Sequence, residues 1–173
     1  MNATAVQRYP NGVIPLAALC RLWGAHDEFL RADAAYNFNR LSRAYAKRFG
    51  TPICVTDSYR SLAAQKSLYK AKPKLAAVPG TSNHGWGVAA DLCGGVERFG
   101  SVQHAWLFEN APRYRWVHPT WAQKAGSRPE PWHWEYAPRS QLVRDALGLP
   151  PLPGTSGNNG YNGYTGTSSQ ARS

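Results

Sequence analysis

Apolar residues recur at helical spacing between residues 33 and 49, where Phe38, Leu41, Tyr45 and Phe49 share one face and Gly50 stops the pattern before Pro52. Asp33 is placed to cap this helix, which turns its apolar stripe to the core. The β-branched run ICVTD, residues 53–57, predicts a strand, and Ser61 caps a second helix through SLAAQKSLYK. Tyr59 and Arg60 then stand at a strand-to-helix corner. The stretch KPKLAAVPGTSN, punctuated by Pro73, Pro79 and Gly80, predicts a loop, after which VAADLC is a buried strand closed by Gly94 and Gly95. Ser101 caps a short helix through HAWLFENA. The aromatic WVHPTW and PWHWEYA are candidate strands, and SQLVRDALG is a last helix.

From Leu149 the pattern stops: PPLPGTSGNNGYNGYTGTSSQARS has no acidic residue and almost no aliphatic one. Such a segment buries too little apolar surface to offset its ordering entropy, so the expected organisation is one domain over residues 1–148 and a flexible tail over 149–173. Tyr161 and Tyr164 give that tail a weak alternative as a sugar-binding stretch. A chain of 173 residues that is 43% hydrophobic supports one core and is too short for two ordinary domains.

Twenty Lys and Arg against ten Asp and Glu leave a net charge of +10, which favours a polyanionic partner such as nucleic acid, an anionic membrane or an anionic cell wall. The basic residues are scattered, without a run of five, which argues against a dedicated nucleic-acid arm. No segment approaches the roughly eighteen apolar residues of a membrane span, and the opening MNATAVQRYPNG lacks a charged leader followed by an apolar stretch. A role outside the cytoplasm is then expected to involve a removed signal or another export route. Three cysteines allow at most one internal disulfide. Cys54 and Cys93 lie in candidate strands that a bridge could join, and three buried thiols are the alternative.

The candidate chemistry sits in SNHGWGVAAD, residues 82–91, where His84 precedes Asp91 by seven positions and Gly85 and Gly87 let the chain turn from loop to strand. Spacing alone does not decide, because His26 and Asp33 repeat it. Across a helical stretch, however, seven residues rise about 10 Å, too far for two side chains to hold one ion. The segment PEPWHWEY supplies a third nitrogen, His133, and a carboxylate three residues earlier, Glu130, the one Glu-x-x-His among the five histidines. His84, Asp91 and His133 form a zinc ligand set that leaves a fourth position open, and Glu130 is better suited as general base than as ligand. A salt bridge from Glu130 to an arginine is the bland alternative. His104 is expected on a helix surface and His118 in the packing of an aromatic strand.

Ser82, His84, Gly87, Ala89 and Asp91, followed by Glu130, Trp132 and His133, reproduce the S-x-H-x-x-G-x-A-x-D and E-x-W-H pattern of the zinc D-alanyl-D-alanine carboxypeptidases and dipeptidases of the VanY and VanX type. The chain resembles that family over roughly residues 28 to 147. TDSYRSLAAQ is also similar to the family's substrate-side segment, in which an arginine and a glutamine face the active site, here Arg60 and Gln65. The resemblance implies one zinc ion on His84, Asp91 and His133, Glu130 as base and Arg60 stabilising the oxyanion or scissile carbonyl. It implies Ser82 and Gln65 as substrate-holding residues. Tyr59 and Trp132 are candidates to line the pocket, with a core position as the alternative. The implied fold is a small α+β domain, a mostly antiparallel sheet with helices packed on one side and zinc at its open face.

The implied substrate is the peptidoglycan stem peptide, cut at D-Ala-D-Ala, in the cell wall or outside the cell. The glutamate at position 130 points to this branch, since related phage endolysins that cut L-alanyl-D-glutamate commonly carry aspartate there. A peptidoglycan endopeptidase or phage lysin on the same scaffold is the rival, and a non-catalytic wall-binding protein is a third reading. Anionic wall polymers suit the net charge of +10, and the chain is expected to be a monomer.

Overall fold

The computed structural model describes residues 9–150. The predicted tail, with Tyr161 and Tyr164, lies outside the described residues except for Leu149 and Pro150. In chain order the elements are β1 (Cys20–Arg21), β2 (Phe29–Leu30), α1 (Ala32–Phe49), β3 (Cys54–Asp57), α2 (Leu62–Ala71), β4 (Ala89–Cys93), α3 (Val102–Asn110), β5 (Trp116–Val117), β6 (His133–Tyr136) and α4 (Gln141–Ala146). β3, β4, β6 and β5 form one antiparallel sheet in that order, and β1 and β2 pair separately. This is the expected α+β architecture.

Alternation along the strands divides the sheet into a packing face and a chemical face. Ala90, Leu92, Trp134 and Tyr136 join Phe38, Leu41 and Tyr45 of α1 and Leu107 of α3 in the main core. Asp91, His133 and Glu135 alternate with those core residues along β4 and β6, which assigns them to the opposite face. Asp91 stands directly across from His133, and Asp57 of β3 across from Asp91, so one row of the sheet carries three site residues. The β3–β4 register shifts between Val55 and Asp57.

Ser61, Ser101 and Ser140 each accept a backbone N–H in the first turn of α2, α3 and α4. Asp33 does not cap α1. The cap position is Arg31, and the Asp33 carboxylate instead accepts from the Arg31 guanidinium at 2.6 Å and from Ala34 N–H. The aromatic segment WVHPTW is a strand only at Trp116–Val117. Pro119 lacks an N–H for the ladder, and Thr120–Ala122 form a 3-10 turn. His104 is not on the surface: it is buried, with its ring 5.1 Å from that of His118 and 5.7 Å from that of Trp134. His118 stacks on Trp134 at 5.0 Å, the packing role expected of it. Cys54 and Cys93 face each other across β3 and β4 and form a disulfide, and Cys20 is a free, half-buried thiol.

Candidate metal centre

The turn into β4 is built around two glycines for different reasons. Gly87 ends a 3-10 turn, Asn83–Trp86, at φ 63°, a conformation that disfavours side chains. Gly85 has no positive φ. A Cβ there would lie 2.1 Å from Asn11 Oδ1, so its role is close approach. Asn11 in turn donates to Ser82 O at 2.7 Å, and the Ser82 hydroxyl accepts from His84 N–H at 3.3 Å. His84 is thereby fixed on a tight turn facing the sheet.

Three side-chain atoms converge. His84 Nε2 lies 3.3 Å from His133 Nδ1 and 3.4 Å from Asp91 Oδ1, and His133 Nδ1 lies 3.0 Å from Asp91 Oδ1. Ligands about 2.0–2.2 Å from a tetrahedral zinc ion stand about 3.3–3.6 Å apart, so the triangle approaches the size of a zinc ligand face. The outer nitrogens identify the convergent atoms as acceptors. His84 Nδ1 donates to Ser58 O at 2.8 Å, and His133 Nε2 lies 3.0 Å from Glu135 Oε1, which also accepts from Asn83 Nδ2 at 2.9 Å. With both outer nitrogens donating, two imidazole lone pairs and a carboxylate face one another, an arrangement that requires a proton or a cation between them.

The titration of the site carries the same signature. Burial favours the neutral Asp91 carboxyl, yet hydrogen bonds with His133 and His84 hold it well below the usual carboxylate range. Burial likewise opposes a charged His133, but Asp91 and Glu135 push it up to about 9. The residues therefore fit a divalent metal with an imidazole–carboxylate partner behind one ligand. Among the described residues these three are the grouping of His, Cys, Asp and Glu side chains that could hold an ion.

Glu130 sits between Pro129 and Pro131, which fix the neighbouring φ angles and push Glu130 toward extended backbone. Its N–H donates to Ala122 O at 2.8 Å, and its carbonyl accepts from His133 N–H and from His118 Nε2, each at 3.0 Å. Burial raises its carboxyl, with Arg128 opposing, and charges on His133, Asp91 and His84 also act on it. The arginine bridge exists: Arg128 Nε lies 3.0 Å from Glu130 Oε1.

Arg60 is brought to the same face. It donates from Nε to Asp57 at 2.9 Å and from Nη1 to Gln65 Oε1 at 2.8 Å, and its Nη2 lies 3.9 Å from Asp91 Oδ2. Gln65 is buried and donates to Ala77 O at 2.7 Å, so it orients Arg60 and ties down the loop after α2. Tyr59 turns aside: its hydroxyl accepts from Ile14 N–H at 2.8 Å, and its ring packs with Ile14, Leu19 and Phe29. It lines a groove of about 660 Å³ with Asp57, Arg60 and Leu68. Trp132 is 39% exposed between Glu130 and His133. The false pair is apart, with His26 fully exposed and Asp33 bound to Arg31.

His84 on its turn, with half-buried Asp91 and buried His133 on the antiparallel sheet and Glu130 alongside, forms a three-residue grouping that could hold a metal ion and, among the described residues, has no fourth protein ligand. The model of the VanY D-alanyl-D-alanine carboxypeptidase family matches residues 27–139, and the chain belongs to that family. A D-alanyl-D-alanine carboxypeptidase of Enterococcus faecalis is 38% identical over 64 residues, a match spanning 35% of this chain and only 24% of that protein. VanYB in complex with D-alanine-D-alanine is 27% identical, covering 76% of this chain and 83% of its own, with a TM-score of 0.55. A mutant of the vancomycin resistance D,D-pentapeptidase VanY in complex with Zn(II) is 26% identical, covering 82% and 91%, also at 0.55. The LD-carboxypeptidase LdcB, at 21% identity and a TM-score of 0.62 over 86% and 85%, shares the fold.

Proposed function

We propose that the chain hydrolyses the terminal D-alanyl-D-alanine bond of peptidoglycan stem peptides, acting at the cell wall. The observation that carries this reading is the converging triangle of His84 Nε2, Asp91 Oδ1 and His133 Nδ1 with Glu130 beside it. Membership of the VanY family and the likeness to VanYB in complex with D-alanine-D-alanine support this choice of substrate class.

A zinc ion on His84, Asp91 and His133 would supply Lewis acidity to the scissile carbonyl and the attacking water. Glu130 takes the proton of that water and returns it to the leaving amine, a role suited to a half-buried carboxylate whose proton affinity is raised. Arg60 is clamped by Asp57 and Gln65 and donates to the oxygen on which charge develops, with little reorganisation. Ser82 shapes the turn on which His84 stands and lies beside the substrate path, and Trp132 offers an exposed apolar wall.

The test is product analysis on an acylated L-Lys-D-Ala-D-Ala peptide and on intact muropeptides. Release of free D-alanine is the expected outcome. Cleavage elsewhere in the stem would transfer the same centre to an endopeptidase.

A further inference from the structure

Arg128 is a charged group at the centre to which the proposed reaction assigns no task. Its Nε is 3.0 Å from Glu130 Oε1, its Nη1 donates to Leu75 O at 2.9 Å, and its guanidinium lies 4.9 Å from the centre of the Trp121 ring. That ring is in turn 5.0 Å from His133. The two guanidiniums of the site differ. Arg60 is 13% exposed and committed to Asp57 and Gln65, with Asp91 nearby, whereas the Arg128 side chain is 42% exposed and its carboxylate partner is the proposed base.

We propose that Arg128 is a specificity-determining residue that receives the free carboxylate of the substrate's terminal residue in exchange for Glu130, and so restricts cleavage to a chain end. The proposal rests on the reading of Glu130 as base. A group that returns a proton to the leaving amine must stand beside that nitrogen. In a terminal residue the carboxylate carbon is two bonds from the same nitrogen, about 2.5 Å away. A cation bound to the base is therefore close to the place where that carboxylate arrives. An internal residue presents a neutral carbonyl there, which competes poorly with Glu130 for a guanidinium.

The exchange also preserves charge balance. Arg128 passes from one carboxylate to another, and Glu130 is released toward the attacking water. Stacking on Trp121 and the bond to Leu75 O hold the planar fork in place, so capture of the second carboxylate requires little ordering.

The test compares kcat/KM for an acylated L-Lys-D-Ala-D-Ala peptide with that for its C-terminal amide, in the zinc-loaded wild type, Arg128→Gln and Arg128→Lys. Zinc content and circular dichroism verify each protein. The wild type is expected to favour the acid about ten- to a hundredfold, the range for a charge-assisted pair. Arg128→Gln should bring the ratio near one by losing the acid, and Arg128→Lys should retain part of it.

A second readout is binding by calorimetry. Glu130→Gln should bind the acid more tightly than Glu130→Gln with Arg128→Gln, and both should bind the amide alike. Equal loss of acid and amide turnover in Arg128→Gln would overturn the proposal, as would an unchanged ratio, while leaving Glu130 as base. Retention of turnover by Glu130→Gln would instead remove the base reading, and the exchange with it.

Discussion

His84 and His133 present acceptor nitrogens to the centre because the opposite nitrogen of each ring is committed, one to Ser58 O and the other to Glu135 Oε1. The Glu135 partner is the more sensitive, since a carboxylate raises the basicity of the imidazole it holds. Glu135→Gln should weaken zinc affinity by about 10–100-fold in competition with a chromophoric chelator, with the fold retained. Glu130→Gln should behave in the opposite way, with zinc bound as in the wild type and turnover reduced about 10²–10⁴-fold.

The convergence of His84, Asp91 and His133 and the nearness of Glu130 to them were legible in the sequence because each pair, His84 with Asp91 and Glu130 with His133, lies within one short segment. Glu135 had a readable signal, since two positions along a strand return to the same face. Asn83, Ser58, Arg128 and His118 did not. Asn83 and Arg128 neighbour His84 and Glu130 in the chain, but what ties each of the four in is a long-range bond that no periodicity encodes, Asn83 to Glu135, Ser58 to His84, Arg128 to Leu75 and His118 to Glu130.

At the scale of elements, the segment from β5 to β6 is held by His118. Its Nε2 donates to Glu130 O, and its own carbonyl accepts from Gln123 Nε2 at 3.0 Å. Burial lowers its pKa from the ordinary 6.5 to about 4. The bond to Glu130 O opposes, His104 and His133 lower it further, and Glu135 opposes them. Between about pH 6.5 and 4 the unfolded chain takes up a proton that the folded chain refuses, so stability falls on acidification through that window and is unaffected by this group above it. His118→Phe should flatten the dependence of the denaturant midpoint on pH between 4 and 6.5 and lower activity at neutral pH.

The disulfide acts on another pair of elements. Cys54 and Cys93 are 39 residues apart and clamp edge strand β3, which leads into Asp57 and Arg60, to β4, which carries Asp91. Replacing both cysteines with serine should lower stability by about 4 kcal/mol on the chain-entropy account, read from denaturant unfolding. The strands were readable in the sequence and the pairing was not, because composition fits a bridge and buried thiols equally well. The missed break at Pro119 and the misplaced Asp33 cap have local causes: a lost donor in one, and a preference for the Arg31 guanidinium in the other.

For the whole molecule, one sheet separates two tasks. Its apolar face holds α1 and α3 through Phe38, Leu41, Trp134 and Leu107, and its other face carries the row Asp57, Asp91 and His133. The single-domain α+β architecture was readable because strand and helix patterns share one core, whereas the sheet order β3-β4-β6-β5 rests on long-range pairing that no local pattern encodes. Among the described residues no helix is long and apolar enough to cross a membrane.

The central claim is a single zinc ion on His84, Asp91 and His133 that serves D-alanine release. Its most direct test is a zinc titration of the chelator-stripped protein, followed by D-alanine released from an acylated L-Lys-D-Ala-D-Ala peptide. Activity should rise from zero to a plateau at one equivalent of zinc per chain and disappear in His133→Ala. Full D-alanine release without zinc, or no release at saturating zinc, would contradict it.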